Sequence, residues 1–464
     1  MAFSSTTFPV RRRATQLMTW AATLLLVSCA SYSPAPLPER PDLASDASSL
    51  SVSAADMPLP ALSSHPFDPT RPLDMDEVAM VAVANNPDLK ALRRKTGVAR
   101  AQAFAAGLLP NPQLTFDYGL LTGGPGTTDA LTLGLAQDIV PLLARSARQR
   151  SATASQQGAE LDLLWQEWQV VSEARLLFVA AVELRRQHAI LEENLALFAE
   201  RYQRSSDAMQ RGDETLPTVV SDLTALKAIE TQLHDADQLI LKNHHDLNAL
   251  LGLKPQAELP VADDLVSAPI DADRIAKELT NLAQRRPDLL ALRAGYQAQE
   301  ERLRQAVIQQ FPSLNVGVIR GKDTTGVRTT TLGVTIGLPI FDRNQGNIAI
   351  ERATRQQLRD EYQARLDTAY SAADRLVSEQ RLLDEQYRST QDSIGQLRAS
   401  ATIADRAYGA GNLDERSWVD LQAALLEKRL EALRLEQTLL EQRVNLQTLI
   451  GTDLPLLPSS QESS

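Results

Sequence analysis

Two stretches of the chain alternate between apolar and polar residues with a period of two, and a turn-rich segment interrupts each stretch. In the first, the apolar positions are Leu114, Phe116, Tyr118, Leu120, Leu131, Leu133 and Leu135. In the second, they are Leu314, Val316, Val318, Leu332, Val334, Ile336 and Leu338. Successive side chains of a strand point to opposite faces, so the pattern predicts two β-hairpins, at about 113–140 and 313–340, each with one apolar face.

The opposite face of both hairpins carries small and polar residues, which suits a wall that faces water. The alternating runs are about 9–12 residues long, near the length that a tilted strand needs to cross a bilayer. A second sheet would cover the apolar face in a soluble sandwich, but the rest of the chain offers no such sheet. Four strands cannot close a barrel, so copies of the chain must associate. Two copies would supply eight strands and a filled interior, and three copies twelve strands with room for a channel.

Most of the remaining chain has the hydrophobic periodicity of α-helices. Residues 145–208 contain no Pro and one Gly, and apolar residues recur there at spacings of three and four. A heptad seam, typical of coiled-coil packing, is formed by Leu421, Leu425, Ala432, Leu435, Leu439, Leu446 and Leu449, and Lys428 and Gln442 interrupt it. The predicted helices are about 74–107, 145–208, 216–251, 275–309, 344–408 and 416–450.

The two halves of the chain repeat one pattern. Asn86-Pro87-Asp88-Leu89 recurs as Arg286-Pro287-Asp288-Leu289, and Leu251-Gly252 recurs as Ile450-Gly451. Chance does not easily hold a register of about 200 residues over a whole half. We therefore predict two equivalent units, repeat 1 at 73–262 and repeat 2 at 272–456, each with one hairpin.

Helix lengths restrict how these segments can be arranged. A helix over 145–208 would be about 95–100 Å long, whereas 216–251 would span only about 54 Å. We therefore expect each long helix to be matched by two shorter helices stacked end to end, the returning helix of one repeat on the opening helix of the other. The turns at Gly212 and Gly411 then lie about 100 Å from the hairpins.

The N-terminus has the features of a secretory signal. Arg11, Arg12 and Arg13 precede an apolar run that is too short to be a spanning helix. Residues 26–29, Leu-Val-Ser-Cys, resemble a bacterial lipobox, so we expect 1–28 to be removed and Cys29 to be lipidated. An ordinary signal peptide with an incidental cysteine is the alternative. Ala30 rather than Asp follows Cys29, which favours delivery to the outer membrane.

The segments that flank the repeats are poor in apolar residues. Residues 29–72 are rich in Pro, Ser, Ala and Asp, so they are expected to form a lipid-anchored tether that runs along the body. Residues 457–464 are expected to be a disordered tail. Cys29 is the only cysteine, so an internal disulfide is excluded.

Composition and charge exclude several classes of function. The formal net charge is −11, which argues against a nucleic-acid partner, because phosphate binding needs clustered basic surface. The five histidines are scattered, and no nucleophile stands with a general base, so we expect no metal site, no cofactor and no enzymatic activity.

The repeat, the paired hairpins and the glycine turns together resemble the TolC-type outer-membrane efflux channel family over about residues 72–456. Residues 339–346, Pro-Ile-Phe-Asp-Arg-Asn-Gln-Gly, resemble a strand-to-helix junction of its divalent-cation branch. The resemblance implies an α+β membrane protein, a homotrimer in which two hairpins per subunit build a twelve-stranded barrel. Long antiparallel, coiled-coil-like helices would form a periplasmic tunnel.

The resemblance also implies partners and functional residues. A periplasmic adaptor protein would join the inner end of the tunnel to an inner-membrane pump, which is expected to be proton-driven, so this chain would be a passive duct. Carboxylates near the turns would ring the narrow end, and the positions that match are Asp222 and Asp420, with Asp414 as a competing candidate because the second turn is longer. The turn residues expected to contact the adaptor are Gly212, Asp213, Gly411, Asn412 and Leu413.

The cargo stays open at this point. The junction at 339–346 favours divalent metal cations, and drugs, dyes or solvents are the alternative. A duct for a secreted polypeptide is a related possibility. A chain of another class, a periplasmic coiled-coil scaffold held only by its lipid, would lack the membrane-spanning sheet.

Overall fold

The computed structural model describes residues 32–46, 49–50, 52–54, 57–265, 272–451 and 454. The chain divides into two units, residues 1–43 and 44–464. Of the first unit, residues 32–43 are described, and they form neither helix nor strand. The expected signal peptide 1–28, the expected lipid attachment at Cys29 and the tail 457–464 lie outside the described residues.

In the second unit, one order of elements occurs twice. The first half contains α1 (Pro60–Ser63), α2 (Met75–Asn85), α3 (Pro87–Ala106), β1 (Gln113–Gly119), β2 (Ala130–Asp138), α4 (Val140–Arg211) and α5 (Leu216–Leu251). The second half contains α6 (Ala272–Thr280), α7 (Leu282–Arg285), α8 (Pro287–Ile308), β3 (Leu314–Lys322), β4 (Arg328–Ile336), α9 (Gln345–Gly409) and α10 (Glu415–Ile450). None of the helices in the described ranges has both the length and the apolar composition needed to cross a membrane.

The opening helix of each half is interrupted, although the sequence predicts continuous helices over 74–107 and 275–309. Asn86 (φ −51°, ψ 125°) and Arg286 (φ −71°, ψ 120°) separate the segments. Both precede a proline, which disfavours the helical conformation of the residue before it. Asn86 then caps the new helix, because its side chain accepts a hydrogen bond from the Leu89 backbone N–H at 2.9 Å.

Helix ends meet within each repeat, not between the repeats as the length argument predicts. The side chain of Asn86, at the start of α3, donates to the carbonyl of Leu250 at the end of α5 over 3.0 Å. In the second half, Arg286 at the start of α8 donates to the carbonyl of Leu449 near the end of α10 over 3.3 Å. The expected pairing between repeats is therefore wrong. Each junction supplies a donor to a helix C-terminus, whose last carbonyls have no partner within the helix.

The long helix α4 is the element around which the others pack. It contacts α3 through an ion pair between Glu167 and Arg93 at 2.8 Å, and it contacts α8 where the Ser151 hydroxyl donates to the carbonyl of Ala298. The indole N–H of its buried Trp168 donates to the carbonyl of Thr448 in α10 at 2.9 Å.

The largest apolar core lies beside the middle of α4. It contains Trp168 and Phe178 of this helix together with residues 78–83 of α2, all of which are buried. Met57, Leu59 and Leu62 are also buried in it, although the sequence predicts only a tether over 29–72. The described part of the predicted tether from Ala44 onward therefore packs into the body, because its few apolar residues complete a core that the repeats leave open.

The four strands form one antiparallel sheet in the order β1-β2-β3-β4. The two hairpins are joined because β2 of the first repeat pairs with β3 of the second, with Leu135 opposite Val318. Strands β1 and β4 are the edges of this sheet. The turns of both hairpins lie at one end of the sheet, and the helices join it at the other end, since α4 and α9 follow β2 and β4 in the chain.

Candidate functional site

One face of the sheet is apolar and open to its surroundings. Directly opposite residues in antiparallel strands share a face, and the apolar pairs are Leu114 with Leu135, Phe116 with Leu133, Tyr118 with Leu131, Val318 with Leu332, Val316 with Val334 and Leu314 with Ile336. Leu114 is 70% exposed and Leu332 72%. No other described element covers this face. An apolar surface of this extent is typical of a contact with lipid or with another protein.

The opposite face is concave and carries mainly small and polar side chains, with Ile319 as a large apolar exception. A shallow depression over it is lined by Thr115, Asp117, Thr132, Gly134, Asn315, Gly317, Gly333 and Thr335, among others. Gly317 has a specific role, because a Cβ atom there would lie 2.9 Å from the carbonyl oxygen of Leu135 and 3.0 Å from the Cβ of Ala136. The absence of a side chain at Gly317 lets β2 and β3 approach each other on the concave face.

The first helix turn joins α4 to α5 through Gly212, which has a φ of +82°. Its N–H donates to the carbonyl of Met209, and the N–H of Asp213 donates to the carbonyl of Ala208 at 2.9 Å. This left-handed C-cap satisfies carbonyls at the end of α4 and favours glycine. Asp213 is exposed beside it, with Arg211 3.4 Å away. The turn presents a compact, polar tip.

The second turn joins α9 to α10 and has the same type of cap. Gly411 has a φ of +73°, and the N–H of Asn412 donates to the carbonyl of Ala407 at 2.8 Å. Asn412 is exposed and Leu413 is half-buried. Asp414 follows as the N-cap of α10, where it accepts hydrogen bonds from the hydroxyl and the N–H of Ser417 at 2.7 and 2.8 Å. These bonds hold the pKa of Asp414 below its ordinary value, so this carboxylate already has a structural role.

The two predicted turn-proximal carboxylates, Asp222 and Asp420, are brought to one arginine. Arg201 of α4 places its Nε 2.7 Å from Oδ1 of Asp222 and its Nη1 3.9 Å from Oδ1 of Asp420. The side chain of Asp222 is 2% exposed, whereas that of Asp420 is 68% exposed. The burial of Asp222 within its own subunit is at odds with the expectation that it lines a pore. The Asp420 carboxylate is accessible from outside the helices.

Sequence reasoning missed Arg201, although its position carries a signal. Leu191, Asn194, Phe198 and Arg201 follow one another at spacings of three and four along α4, and all four are buried. A charged residue on such a buried stripe requires a partner of opposite charge.

A second set of contacts close to the turns links three helices. Arg204 of α4 donates to the hydroxyl of Tyr408 in α9 at 2.9 Å. The Tyr408 ring stacks on Trp418 of α10, with ring centroids 5.1 Å apart, and the indole N–H of Trp418 donates to Asp405 at 2.5 Å. These contacts therefore hold the α4–α5 pair and the α9–α10 pair together next to their turns. No local sequence motif predicts them.

Glu183 of α4 is a buried carboxyl group in the middle of the helices. One of its oxygens accepts a hydrogen bond from Arg186 at 3.0 Å, and the other has no hydrogen-bond partner in the described part of the chain. Glu436 of α10 lies near the same arginine, at 3.6 Å. Burial, and secondarily the charge of Glu436, raise the pKa of Glu183 to about 7.

The structure places one histidine in a cluster that sequence reasoning did not find. Nitrogen and oxygen atoms of His65, Asp74 and Glu77 lie within 4.8 Å of one another, the one such group among the described residues. The Glu77 carboxylate, however, accepts hydrogen bonds from Arg71 and from the N–H groups of Asp68 and Asp74. It serves as the reciprocal half of the capping box at the start of α2. The cluster is accounted for by helix capping.

Comparisons with known proteins agree with this geometry. The family described as outer membrane efflux protein matches residues 279–452. The chain is 26% identical over 312 residues to the cobalt-zinc-cadmium resistance protein CzcC of Cupriavidus metallidurans, covering 64% of this chain and 71% of that protein. It is 22% identical over 409 residues to the cation efflux system protein CusC of Escherichia coli K12, covering 80% and 84%.

A solved structure shows the same fold. The outer membrane channel CmeC of Campylobacter jejuni superposes with a TM-score of 0.70 at 16% identity, covering 93% of this chain and 94% of that one. The similarity therefore extends over nearly the whole length of both chains. The match to the outer membrane efflux protein family thus covers residues 279–452, and the fold of the chain is similar to that of an outer-membrane channel.

Proposed function

We propose that this protein is the outer-membrane exit duct of a tripartite efflux system and that its cargo is divalent metal cations. The observation that carries the proposal is the sheet with one apolar, uncovered face and two edge strands. Unpaired edges are costly in lipid, so the sheet requires neighbouring copies. Three copies would supply twelve strands, and the small, polar, concave face of each sheet would then line the lumen.

The helices would continue this duct into the periplasm. They leave the sheet at the end opposite to the hairpin turns, so a barrel in the outer membrane would place α4 and α9 on the inner side of that membrane. Each of these helices would reach about 100 Å at 1.5 Å per residue. The duct itself needs no catalytic group, because an inner-membrane pump, proton-driven in this proposal, supplies the energy.

The turns would meet a periplasmic adaptor protein. Gly212 and Asp213 in the first turn, and the segment 411–413 in the second, form compact tips at the helix ends. Next to the first tip, Leu216 and Val220 are 62% and 51% exposed on one side of α5. Exposed apolar side chains beside a polar tip are suited to a protein contact.

Asp420 is the carboxylate best placed to influence cations near these tips. It is exposed, and it lies on α10, 3.9 Å from the Arg201 side chain whose main partner is the buried Asp222. Three symmetry-related copies in a trimer would form a ring of negative charge, which attracts cations and repels anions. Attachment of the mature N-terminus to lipid through Cys29 would add a second anchor to the membrane.

The cargo is supported by the relatives, whose names refer to cobalt, zinc, cadmium and cation efflux. The test is a deletion strain compared with its parent on zinc, cobalt and cadmium salts and on hydrophobic dyes. We expect increased sensitivity to the metals, restored by the gene in trans, with dye tolerance unchanged. Unchanged metal tolerance, or sensitivity to dyes alone, would contradict the metal cargo.

A further inference from the structure

Three cationic side chains lie on the apolar face of the sheet, at the end that carries the hairpin turns. They are Arg320 and Lys322 of β3 and Arg328 of β4, and we call them the basic rim. Lys322 and Arg328 are directly opposite each other, and Arg320 is two residues before Lys322 on the same face. The next pair towards the helices is apolar, Val318 with Leu332. The rim therefore lies between the turn of the second hairpin and the apolar residues of the same face, which we call the apolar band.

The apolar band continues beside the rim on the first hairpin. Leu131 lies opposite Lys322, and Leu133 lies opposite Arg320, on the same face. Arg320 is thus flanked by an apolar side chain at its own level. A long cationic side chain at such a position can lay its apolar stem along the band and extend its charged end away from it.

The positive charges of Arg320 and Arg328 are not balanced by any carboxylate among the described residues. Two like charges directly opposite each other in a sheet are destabilising unless a counter-charge is present. Arg320 and Arg328 are exposed, and no carboxylate of the described residues lies within ion-pair distance of either. Asp323, the carboxylate in the turn between β3 and β4, accepts hydrogen bonds from the N–H groups of Thr325 and Val327 and from the hydroxyl of Thr325.

Lys322 differs from the two arginines. Its ammonium group donates to the hydroxyl of Thr128 at 2.5 Å, and the charge of Asp129 acts on it. The Asp129 carboxylate in turn accepts hydrogen bonds from the hydroxyl of Tyr118 and the N–H of Leu121. Lys322 is therefore held in place across the two hairpins, whereas the guanidinium groups of Arg320 and Arg328 remain available to a ligand.

We propose that the basic rim binds the phosphate groups of an anionic lipid in the outer leaflet of the membrane. This inference rests on the proposed function, which places the apolar face in lipid and the hairpin turns outside the cell. The planar guanidinium group matches phosphate oxygens in a bidentate manner, and the apolar band below the rim receives the acyl chains. A trimer carries three such sites.

The test uses the full chain purified as its oligomer in mild detergent, with lipid binding followed by native mass spectrometry. The probe is diphosphoryl lipid A, compared with the same lipid after removal of its phosphates. We expect up to three bound copies per trimer and a clear preference for the phosphorylated form. Arg320→Gln combined with Arg328→Gln should weaken binding of the phosphorylated lipid at least about tenfold, as expected when charge-assisted hydrogen bonds are removed. Arg320→Lys combined with Arg328→Lys should retain most of the binding.

The matched control is Arg381→Gln combined with Arg388→Gln, which removes two exposed cations from α9 and should leave binding unchanged. Equal affinity for the two lipid forms, or equal affinity of the rim variant and the wild type, would overturn the proposal. Displacement of the lipid by millimolar inorganic phosphate would also overturn it, because the site would then bind a free anion. If the double variant does not assemble, Arg328→Gln alone is tested instead. Unchanged affinity of this variant for the phosphorylated lipid would likewise overturn the proposal.

The outcome can be separated from that of the proposed function. Carbonate extraction of membranes and the mass of the purified oligomer report on insertion and assembly. An inserted trimer that shows no preference for phosphate contradicts the lipid site alone. A single subunit that carbonate releases from membranes contradicts the duct, and the lipid site with it.

Discussion

Arg201 and Asp222 form a buried ion pair between α4 and α5, with 2.7 Å between Nε of the arginine and Oδ1 of the aspartate. The close approach is not aligned as a hydrogen bond. The same guanidinium group extends to Asp420 of α10 at 3.9 Å. Arg201 of α4 therefore pairs with one carboxylate of the α4–α5 helix pair and one of the α9–α10 helix pair. Both carboxylates lie close to the helix turns, but Asp222 is buried and Asp420 is exposed.

This difference predicts unequal effects on stability. Asp222→Ala would leave the charge of Arg201 buried without its main partner, a change that typically costs about 3–5 kcal/mol. Asp420→Ala removes an exposed, longer contact and should cost less than about 1 kcal/mol. Thermal unfolding followed by the circular dichroism of the helices measures both. Equal shifts of the two midpoints would show that Arg201 does not depend on Asp222.

Asp420 should affect ion selection rather than stability. Asp420→Asn keeps the size of the side chain and removes up to three negative charges from the proposed ring, so the preference for cations over anions should fall. Single-channel recordings in planar bilayers with a salt gradient give the reversal potential that reports this preference. Asp222→Asn is the internal comparison, since a buried carboxylate should contribute much less. An unchanged reversal potential in the Asp420 variant would show that this residue does not influence ion selection in the pore.

Glu183 predicts a dependence of stability on pH. Its pKa is raised to about 7 in the folded chain, so between its ordinary value near 4.5 and 7 the folded state holds more protons than the unfolded state. The stability that protonated Glu183 contributes therefore falls as pH rises through this window and is absent above it, where the total stability levels off. The groups that face Glu183 are Arg186, Glu436 and Tyr387, and burial also raises the pKa of Tyr387.

Glu183→Gln should abolish this loss. Relative to wild type, the variant should gain stability on the order of 2–3 kcal/mol between pH 5 and pH 8. Glu385→Gln, which changes an exposed glutamate of α9, is the control and should show the same dependence as wild type. Midpoints of thermal unfolding at the two pH values decide the matter. Parallel behaviour of wild type and Glu183→Gln would mean that Glu183 is already ionised at pH 5.

Gly317 predicts a specific requirement of the sheet. A methyl group there would meet Leu135 and Ala136 at 2.9–3.0 Å, whereas at Gly333, its cross-strand partner, the nearest atom is 4.0 Å away. Gly317→Ala should push β2 away from β3 at a cost of about 1–3 kcal/mol, and Gly333→Ala should be tolerated. The yield of the intact oligomer in detergent, measured by size-exclusion chromatography with light scattering, is the readout. Similar yields of the two variants would show that the hairpins do not need this close approach.

The exposed tip of the first turn should matter for coupling and not for folding. Asp213→Lys reverses a charge at the proposed adaptor contact and should lower metal resistance while the oligomer and its melting point stay as in wild type. Asp235→Lys makes the same change on an exposed site of α5 away from the tip, and it should leave resistance intact. Crosslinking of the chain to its adaptor in cells distinguishes loss of contact from loss of expression. Full resistance of the Asp213 variant would place the contact elsewhere.

The local patterns of the sequence predict much of the fold correctly. Strict alternation identifies β1 to β4 within a few residues, and the returning helix predicted at 216–251 coincides with α5. These features can be predicted because the period of apolar residues within one segment depends only on the secondary structure of that segment. Periodicity alone does not predict the helix breaks before Pro87 and Pro287, because the apolar spacing continues across both prolines. The breaks follow from the conformation that a proline imposes on the residue before it.

The candidate site was only partly predictable. Gly212 and Gly411 could be recognised as turns from the sequence, since glycine after a long apolar periodicity commonly ends a helix. The partner of Asp222 could not, because Arg201 is brought to it by the packing of α4 on α5. The role of Asp414 as a helix cap, not a free carboxylate, likewise depends on the hydrogen bonds that it makes with Ser417.

Spacing along the chain is enough to predict the two-fold repeat, the four amphipathic strands and the positions where long helices reverse. Spacing does not predict which helix ends meet, which of two carboxylates is buried, or that Arg320, Lys322 and Arg328 lie together at the border of an apolar face. Those outcomes depend on contacts between residues far apart in the chain. Their free energy comes from burial and from opposite charges at short distance, which no local pattern records.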